Sequence, residues 1–465
     1  MAVVKNERSL YRFRHLYDRS SLCQKRDGGK GDETLLSGHD RLPWGRKPSE
    51  KEKGENQMKK RLFAVILLSL FLEGTAFASA YRIPEQSADA TAKAGAHTAA
   101  AVKADSTYYN PANMAWAADA WQGEIDLTYL HLTAIEYRDA RSSRFDGDSD
   151  KENFLLPTLF IVSPDYNGFR FGFSITEPYG LAKCWEDPFP KTFAEEFELK
   201  VIEFNPTAAY RFNDYISIAG GVRFLYNDAS VKSSGVVTPT GLTATRDLEG
   251  DTTEWGYNLA LSVRPNSNSN IAVTYRSNVD LDFEGDAVLG TNLFQTTVKT
   301  DAEVTVPAPA VLTIAGAYTF DKLTVELQWD RTFWSEYETL DFNYDTPLMN
   351  PVLAAFDQPI PKDWDDTDAF RIGLTYQMTN VVALMAGFAY DENPAPDDTL
   401  GFELPDSDAW LYSLGARFTL NPNMEIGVGF LYDYKEGRTV TNEDIDGTFD
   451  DAAAFLLTTG FTYTF

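Results

Sequence analysis

The last strand-length stretch, AAAFLLTTGFTYTF, limits the possible folds more than any other part of the chain. Phe455, Leu457, Thr459, Phe461, Tyr463 and Phe465 fall on one side of a period-two pattern, and Leu456, Thr458, Gly460, Thr462 and Thr464 fall on the other. Strict alternation marks a strand whose two faces meet different surroundings. Residues 424–434 repeat it, with Ile426, Val428, Phe430, Tyr432 and Tyr434 opposed to Gly427, Gly429, Leu431 and Asp433. Residues 410–420 do the same, setting Tyr412, Leu414, Ala416, Phe418 and Leu420 against Ser413, Gly415, Arg417 and Thr419. A soluble sandwich turns its bulky face inward. Here the face opposite the aromatics is small and polar, which suits a wet lumen, and the greasy face suits lipid.

Fourteen such segments can be read between residues 121 and 465. Their connections alternate in length. Short turns such as PDYN, ND, TN and NPN lie on one side, and long loops at 182–200, 228–253, 335–367 and 392–407 lie on the other. Outer-membrane barrels have this asymmetry. An even strand count puts both barrel ends on the short-turn side, and closure leaves no unpaired edge in the hydrocarbon. The expectation is an all-β protein: a 14-stranded antiparallel transmembrane β-barrel over residues 119–465. No helix-length apolar run remains after the targeting signal, so a helical membrane protein is excluded.

That signal starts at Met58, in MKKRLFAVILLSLFLEGTAFASA. A basic start, a short apolar run and small residues at Ala76 and Ala78 define a secretory signal peptide over 58–78, with Ala80 an almost equal cleavage point. Residues 1–57 are polar, basic and aperiodic. They read as an upstream start wrongly chosen, the alternative being a disordered extension. Of the 41 Lys and Arg and 69 Asp and Glu in the chain, 16 and 10 precede residue 79, leaving 25 and 59 in the exported part. So acidic a surface repels nucleic acid.

Catalytic chemistry has little to work with. The exported part has two histidines, His97 and His131. A serine hydrolase needs a positioned Ser–His pair with an orienting acid, and the chain has no P-loop and no Cys/His ligand spacing. No enzyme activity, cofactor or resident metal is expected. The acidic stretches DWDDTD (363–368) and NEDIDGTFDD (442–451) read as solvated loops, with weak Ca²⁺ binding as the alternative.

Residues 79–118 do not alternate. They are Ala-rich and polar and end in STYYNPANMAW. Fourteen strands enclose more space than their own side chains fill, so this stretch is expected to fold inside the lumen as a small hatch, or plug. Pro111 removes a donor and biases Asn110 to an extended conformation, so Asn110-Pro111-Ala112 is expected to turn the chain from hatch into the first strand.

Taken in order, AYRIPEQS, YYNPA, SITEPYGLA, TYRSNVDLDFEGDA, DAFRIGL, GFAYDENPAP and the terminal FTYTF resemble the FadL/TodX family of outer-membrane transporters for long-chain fatty acids and hydrocarbons. The resemblance covers nearly all of 79–465. It implies a monomeric barrel in a Gram-negative outer membrane, in contact with lipid and lipopolysaccharide. Fatty acids, alkanes or aromatics would land on outer loops, enter a lumenal pocket and leave sideways through a kink in the third strand. By position, Tyr81 and Ile83 would face the pocket, Asn110, Pro111 and Ala112 would anchor the hatch, and Pro178, Tyr179 and Gly180 would form the kink. A proline without a donor and a glycine that permits a bend fit that role.

In the loop 182–200, Phe193 and Phe197 are four apart and are expected to share a helical face, with Trp185 and Phe189 nearby as a landing surface for lipid-like molecules. The sequence departs from the family where a fatty-acid carboxylate needs a cation. SEYETLDF is acidic, and around 228–235 only Lys232 is basic. Neutral hydrocarbons and aromatic solvents therefore stay open as substrates, and a polar diffusion porin remains the alternative function.

Overall fold

The computed structural model describes residues 80–237 and 240–465. The expected leader (1–57), the expected signal peptide (58–78) and Ser79 lie outside the described residues.

Fourteen antiparallel strands form one closed sheet: β1 (Gln122–Leu132), β2 (Glu152–Val162), β3 (Phe169–Cys184), β4 (Glu196–Arg211), β5 (Ile216–Val237), β6 (Leu242–Asn266), β7 (Ser269–Arg276, resuming as Val279–Thr291), β8 (Thr296–Ala308, resuming as Val311–Phe320), β9 (Leu323–Thr332), β10 (Thr367–Thr379), β11 (Val382–Asp391), β12 (Ala409–Asn421), β13 (Met424–Lys435) and β14 (Ala453–Thr464). The two pieces of β7 count as one strand because both pair with β6. The pieces of β8 pair with those of β7 in reverse order, Val311–Phe320 with Ser269–Arg276 and Thr296–Ala308 with Val279–Thr291, as antiparallel strands require. Closure comes from β14 against β1, from Gln122↔Thr464 to Leu132↔Ala454.

Alternation decides which face each residue takes. Leu414, Phe430 and Leu457 are exposed on the outside, while Ser413, Asp433 and Thr458 are buried inside. In a soluble core the aromatics would be buried. Here they form the outer surface, as lipid requires. The short turns join the strand ends at the rim that holds both Trp121 and the terminal Phe465, whose backbone N–H donates to the Trp121 carbonyl at 2.9 Å.

The outer side departs from expectation in one respect. The expected loop 228–253 is mostly strand, since β5 and β6 stay paired from Asp228↔Asp251 to Val237↔Leu242. The expected loop 182–200 shrinks too, with β3 running to Cys184 and β4 starting at Glu196. Backbone pairing continues past the lipid, where neither face needs the aromatic alternation that marks a membrane-spanning strand.

Candidate functional site

The wall is broken between β2 and β3. The ladder between β2 and β3 runs only from Val162↔Gly172 to Leu159↔Ile175. Above it, the register of β3 against β4 shifts between Thr176 and Tyr179, around Pro178. The gap closes again where the Asp150 N–H donates to the Cys184 carbonyl at 2.9 Å. Proline has no N–H to give the ladder, and Pro178 lies within the break.

The chain's own N-terminal segment occupies this window. Arg82 makes an antiparallel bridge with Tyr179. The Ile83 N–H donates to the Pro178 carbonyl at 2.8 Å, and the Gly180 N–H donates to the Tyr81 carbonyl at 2.9 Å. Gln86 locks the corner. Its side-chain amide donates to the carbonyls of Ile83 and Glu177 at 3.0 and 2.9 Å, and its Oε1 accepts from the Glu177 N–H at 2.8 Å. Backbone groups that would face lipid unpaired are thereby satisfied.

From there the segment runs through the barrel. A short helix, α1 (Ala88–Thr91), is capped by Ser87 and lies against β12, β13 and β14. Its alanines explain the glycines opposite. A Cβ on Gly415 would come within 2.3 Å of the Ala92 Cβ, and one on Gly429 within 2.5 Å of the Ala88 carbonyl oxygen. Arg417 of β12 ties segment to wall, donating to Asp89 and Glu124 at 2.7 Å each and to Thr462 at 2.6 Å. Arg371 of β10 binds Asp330 at 2.9 Å, Asp391 at 2.6 Å and the Ala94 carbonyl at 3.1 Å.

The elbow is held by side-chain amides. Asn110 is extended (φ −157°, ψ 88°), and its Oδ1 accepts from the Ala112 N–H at 3.2 Å. Pro111 begins a 3₁₀ turn, Pro111–Trp116. The Ala112 carbonyl accepts from Ser217 of β5 at 2.7 Å. Asn113 bridges further, accepting from Ser262 and Asn270 at 2.6 and 2.9 Å and donating to the Thr98 and Ala99 carbonyls at 3.1 Å each.

Above the window, an apolar cavity of roughly 560 Å³, counted with the part open to solvent, is lined by Tyr81, Leu181, Phe197, Leu199, Val231, Phe283, Val304, Tyr337, Phe342 and Trp364. Tyr81 is held there by its hydroxyl, which donates to the Pro307 carbonyl at 2.6 Å. Its ring packs on Trp334, Trp364 and Tyr337, with centroids 4.6, 5.8 and 6.5 Å away. The cavity's cation is Lys362, paired with Glu403. Burial raises the Glu403 pKa, but Lys362 outweighs it and keeps the carboxyl below its usual value. The cation is therefore already neutralised.

The expected site residues separate into groups. Tyr81 and Phe197 meet in the cavity. Ile83 is buried in the window seam and does not line the cavity. Phe193 and Phe197 share no helical face, because α2 (Pro190–Ala194) ends before Phe197, which lies in β4. Trp185, Phe189 and Phe193 pack in an outer aromatic cluster around Phe402, with centroids 5.5, 5.8 and 5.4 Å from its ring. Trp185 is fully buried there.

Lys232 follows Val231 on the strand and so points to the opposite face from the cavity. It pairs with Glu196 at 2.9 Å. Sequence reasoning missed Lys362, Glu403, Gln86, Asn113 and the partners of Arg417. Only Arg417 itself had carried a visible signal, as a charge on a face of small residues. No cluster of three or more His, Cys, Asp or Glu able to hold a metal occurs among the described residues. His97 binds Asp105 at 2.7 Å, but Ser87 donates to that same Asp105 and not to the histidine. That arrangement gives a serine no base.

The profile of the family described as outer membrane protein transport protein (OMPP1/FadL/TodX) matches residues 69–465. Outer membrane protein P1 of Haemophilus influenzae is 25% identical over 369 residues, 72% of this chain and 78% of that one. A long-chain fatty acid transport protein of Escherichia coli O6:H1 is 26% identical over 355 residues, 67% of this chain and 77% of that one. The fold is shared with a solved Pseudomonas aeruginosa FadL homologue (TM-score 0.74, 18% identity, covering 83% of this chain and 99% of that one). It is also shared with the P. putida toluene transporter TodX (TM-score 0.61, 15% identity, covering 82% and 98%).

Proposed function

Because this chain belongs to the OMPP1/FadL/TodX family of outer membrane transport proteins and resides in the outer membrane of a Gram-negative bacterium, we propose that it moves hydrophobic compounds, long-chain fatty acids or hydrocarbons, passively across that membrane. The observation that carries this reading is a juxtaposition. An apolar cavity lies directly against a gap in the barrel wall, and the chain's own N-terminal segment lines the first and fills the second. In this reading residues 79–118 are the hatch, anchored by Asn110, Pro111 and Ala112. Pro178, Tyr179 and Gly180 frame the exit. Ligand collects at Phe189 and Phe193, the half-buried members of the outer aromatic cluster, and passes to the cavity beside Tyr81 and Phe197. Withdrawal of Tyr81–Ile83 from β3 then opens a path sideways into lipid, so the ligand never crosses water. The protein works as a monomer, with residues 58–78 removed on export.

The carboxylate question narrows. Lys362 supplies the cation that the sequence lacked near the pocket, but its charge is spent on Glu403. A neutral chain, or a fatty acid entering protonated, needs no rearrangement of that pair. An ionised carboxylate needs Lys362 released.

Uptake by cells making the full chain tests the reading, with palmitate, hexadecane and toluene as substrates. Wild type should take up at least one of them above cells lacking the protein; equal uptake would refute transport. Gly180→Val, which restores a strand former at the break, should reduce uptake about tenfold or more. Unchanged uptake would refute sideways exit while leaving transport standing.

A further inference from the structure

An acid stands in the broken stretch of β3. Thr176 pairs with Glu203 and Tyr179 with Val201, so β3 sets two residues, Glu177 and Pro178, against Ile202 alone. Such a bulge re-aims side chains beside an opening. Glu177 is 8% exposed. Its backbone N–H and carbonyl are both taken by Gln86, while its carboxyl group has no hydrogen-bond partner among the described residues. The charge that acts on it is Lys200, which pairs with Gly180 from β4, on the side of β3 away from the gap. The two edges of the gap are otherwise poor in charge. Along Glu152–Thr158 of β2 and Thr176–Lys183 of β3, the charged residues are Glu152, Lys183 and Glu177. Glu152 and Lys183 are buried 3.8 Å apart at the outer end, so that lysine is matched by a carboxylate. Below them β2 supplies the buried Phe154 and Leu156. Glu177 is the acid left over.

We propose that Glu177 is a specificity-determining residue of the window: it excludes carboxylate anions from the sideways path, so that a fatty acid leaves only after taking up a proton, while an alkane or an alcohol passes as it is. The inference rests on the transport reading above and adds the charge state that the exit accepts. Withdrawal of the hatch removes Gln86 from the bulge and leaves Glu177 facing the opening. A carboxylate passing within several ångströms of it, in surroundings less polar than water, is repelled strongly enough to slow its passage about tenfold. A neutral head group meets no such barrier, and an ammonium group is drawn in. Beyond the window lies hydrocarbon, where an unpaired ion is costly in any case.

The test uses cells making the full chain and measures uptake, above that of cells lacking it, of palmitate, 1-hexadecanol and hexadecylamine, chains of equal length with an acidic, a neutral and a basic head. Ratios to hexadecanol remove differences in expression. Glu177→Gln, which keeps the side chain's shape, should raise the palmitate-to-hexadecanol ratio about tenfold and lower the hexadecylamine-to-hexadecanol ratio. Glu177→Lys should move both ratios further in the same directions, and Glu177→Asp should restore the wild-type ratios. If the lysine variant fails to reach the outer membrane, the glutamine variant still decides. Unchanged ratios in Glu177→Gln would overturn the proposal. So would an equal rise for all three ligands, because that is what a merely loosened seal produces. Wild type taking up none of the three would instead overturn the transport reading beneath it.

Discussion

Between β13 and β14 eleven residue pairs run unbroken, from Met424↔Tyr463 to Tyr434↔Ala453. Between β2 and β3 there are four, from Leu159↔Ile175 to Val162↔Gly172. Both pairs of strands are long enough to span the membrane. Near β13 and β14 the N-terminal segment is held to the wall by charged side chains, chiefly Arg417. In the β2–β3 window it is held by backbone hydrogen bonds and one glutamine. The contrast separates an anchor from a seal. Buried ion pairs resist removal of either partner, while a short run of added strand can be withdrawn by breaking a few modest bonds.

The largest expected effect comes from removing the seal and anchor together. Deleting residues 80–117 should convert the barrel from nearly non-conducting to a steady, porin-like conductance in planar bilayers. A large current from the intact chain would instead favour the polar porin. Next, Arg417→Ala strands Asp89 and Glu124 in a buried site and should cost about 3–5 kcal/mol. Unfolding in urea against wild type would measure this. A change under about 1 kcal/mol would erase the distinction between anchor and seal.

Smaller still, Gln86→Ala should weaken the window by about 1–3 kcal/mol. Hydrogen exchange should speed up at Glu177 and Gly180 and stay slow along 424–434. Uniform acceleration would mean that the window is not an independent unit. Finally, Glu403→Gln should tighten binding of an ionised fatty acid about tenfold by freeing Lys362.

The same pair predicts a pH effect. The folded Glu403 carboxyl titrates below its ordinary value of 4.5. Its contribution is thus fully present above that value and is lost as pH falls through the lower, folded one. Tryptophan emission, with Trp364 lining the cavity, should show an acid transition below about pH 4.5 that Glu403→Gln removes.

Much of the barrel was legible because lipid imposes a rule on every second residue. Phe430 and Leu457 could be assigned to the outside from spacing alone, and all fourteen strands lie where alternation placed them. The rule lapses above the membrane, which is why 228–253 read as loop although it continues β5 and β6. It also misled at Phe193 and Phe197. Four-residue spacing favours a helix, but pairing of Glu196 with Lys232 across β4 and β5 starts a strand there. Lys362 had no local signal at all. It lies in an aperiodic loop, and only the path of that loop over the lumen brings it to Glu403, 41 positions away in sequence.

What the chain determined by itself was therefore its solvent: alternating faces, a proline in the third strand and a small-residue N-terminus follow from composition and order, because lipid acts on each strand separately. What the tertiary structure alone decided was which of those parts meet. The seal of the window by Tyr81–Ile83 depends on register between distant strands, and the pairing of Lys362 with Glu403 on the path of a loop over the lumen. Register is a property of the closed sheet and not of any segment in it.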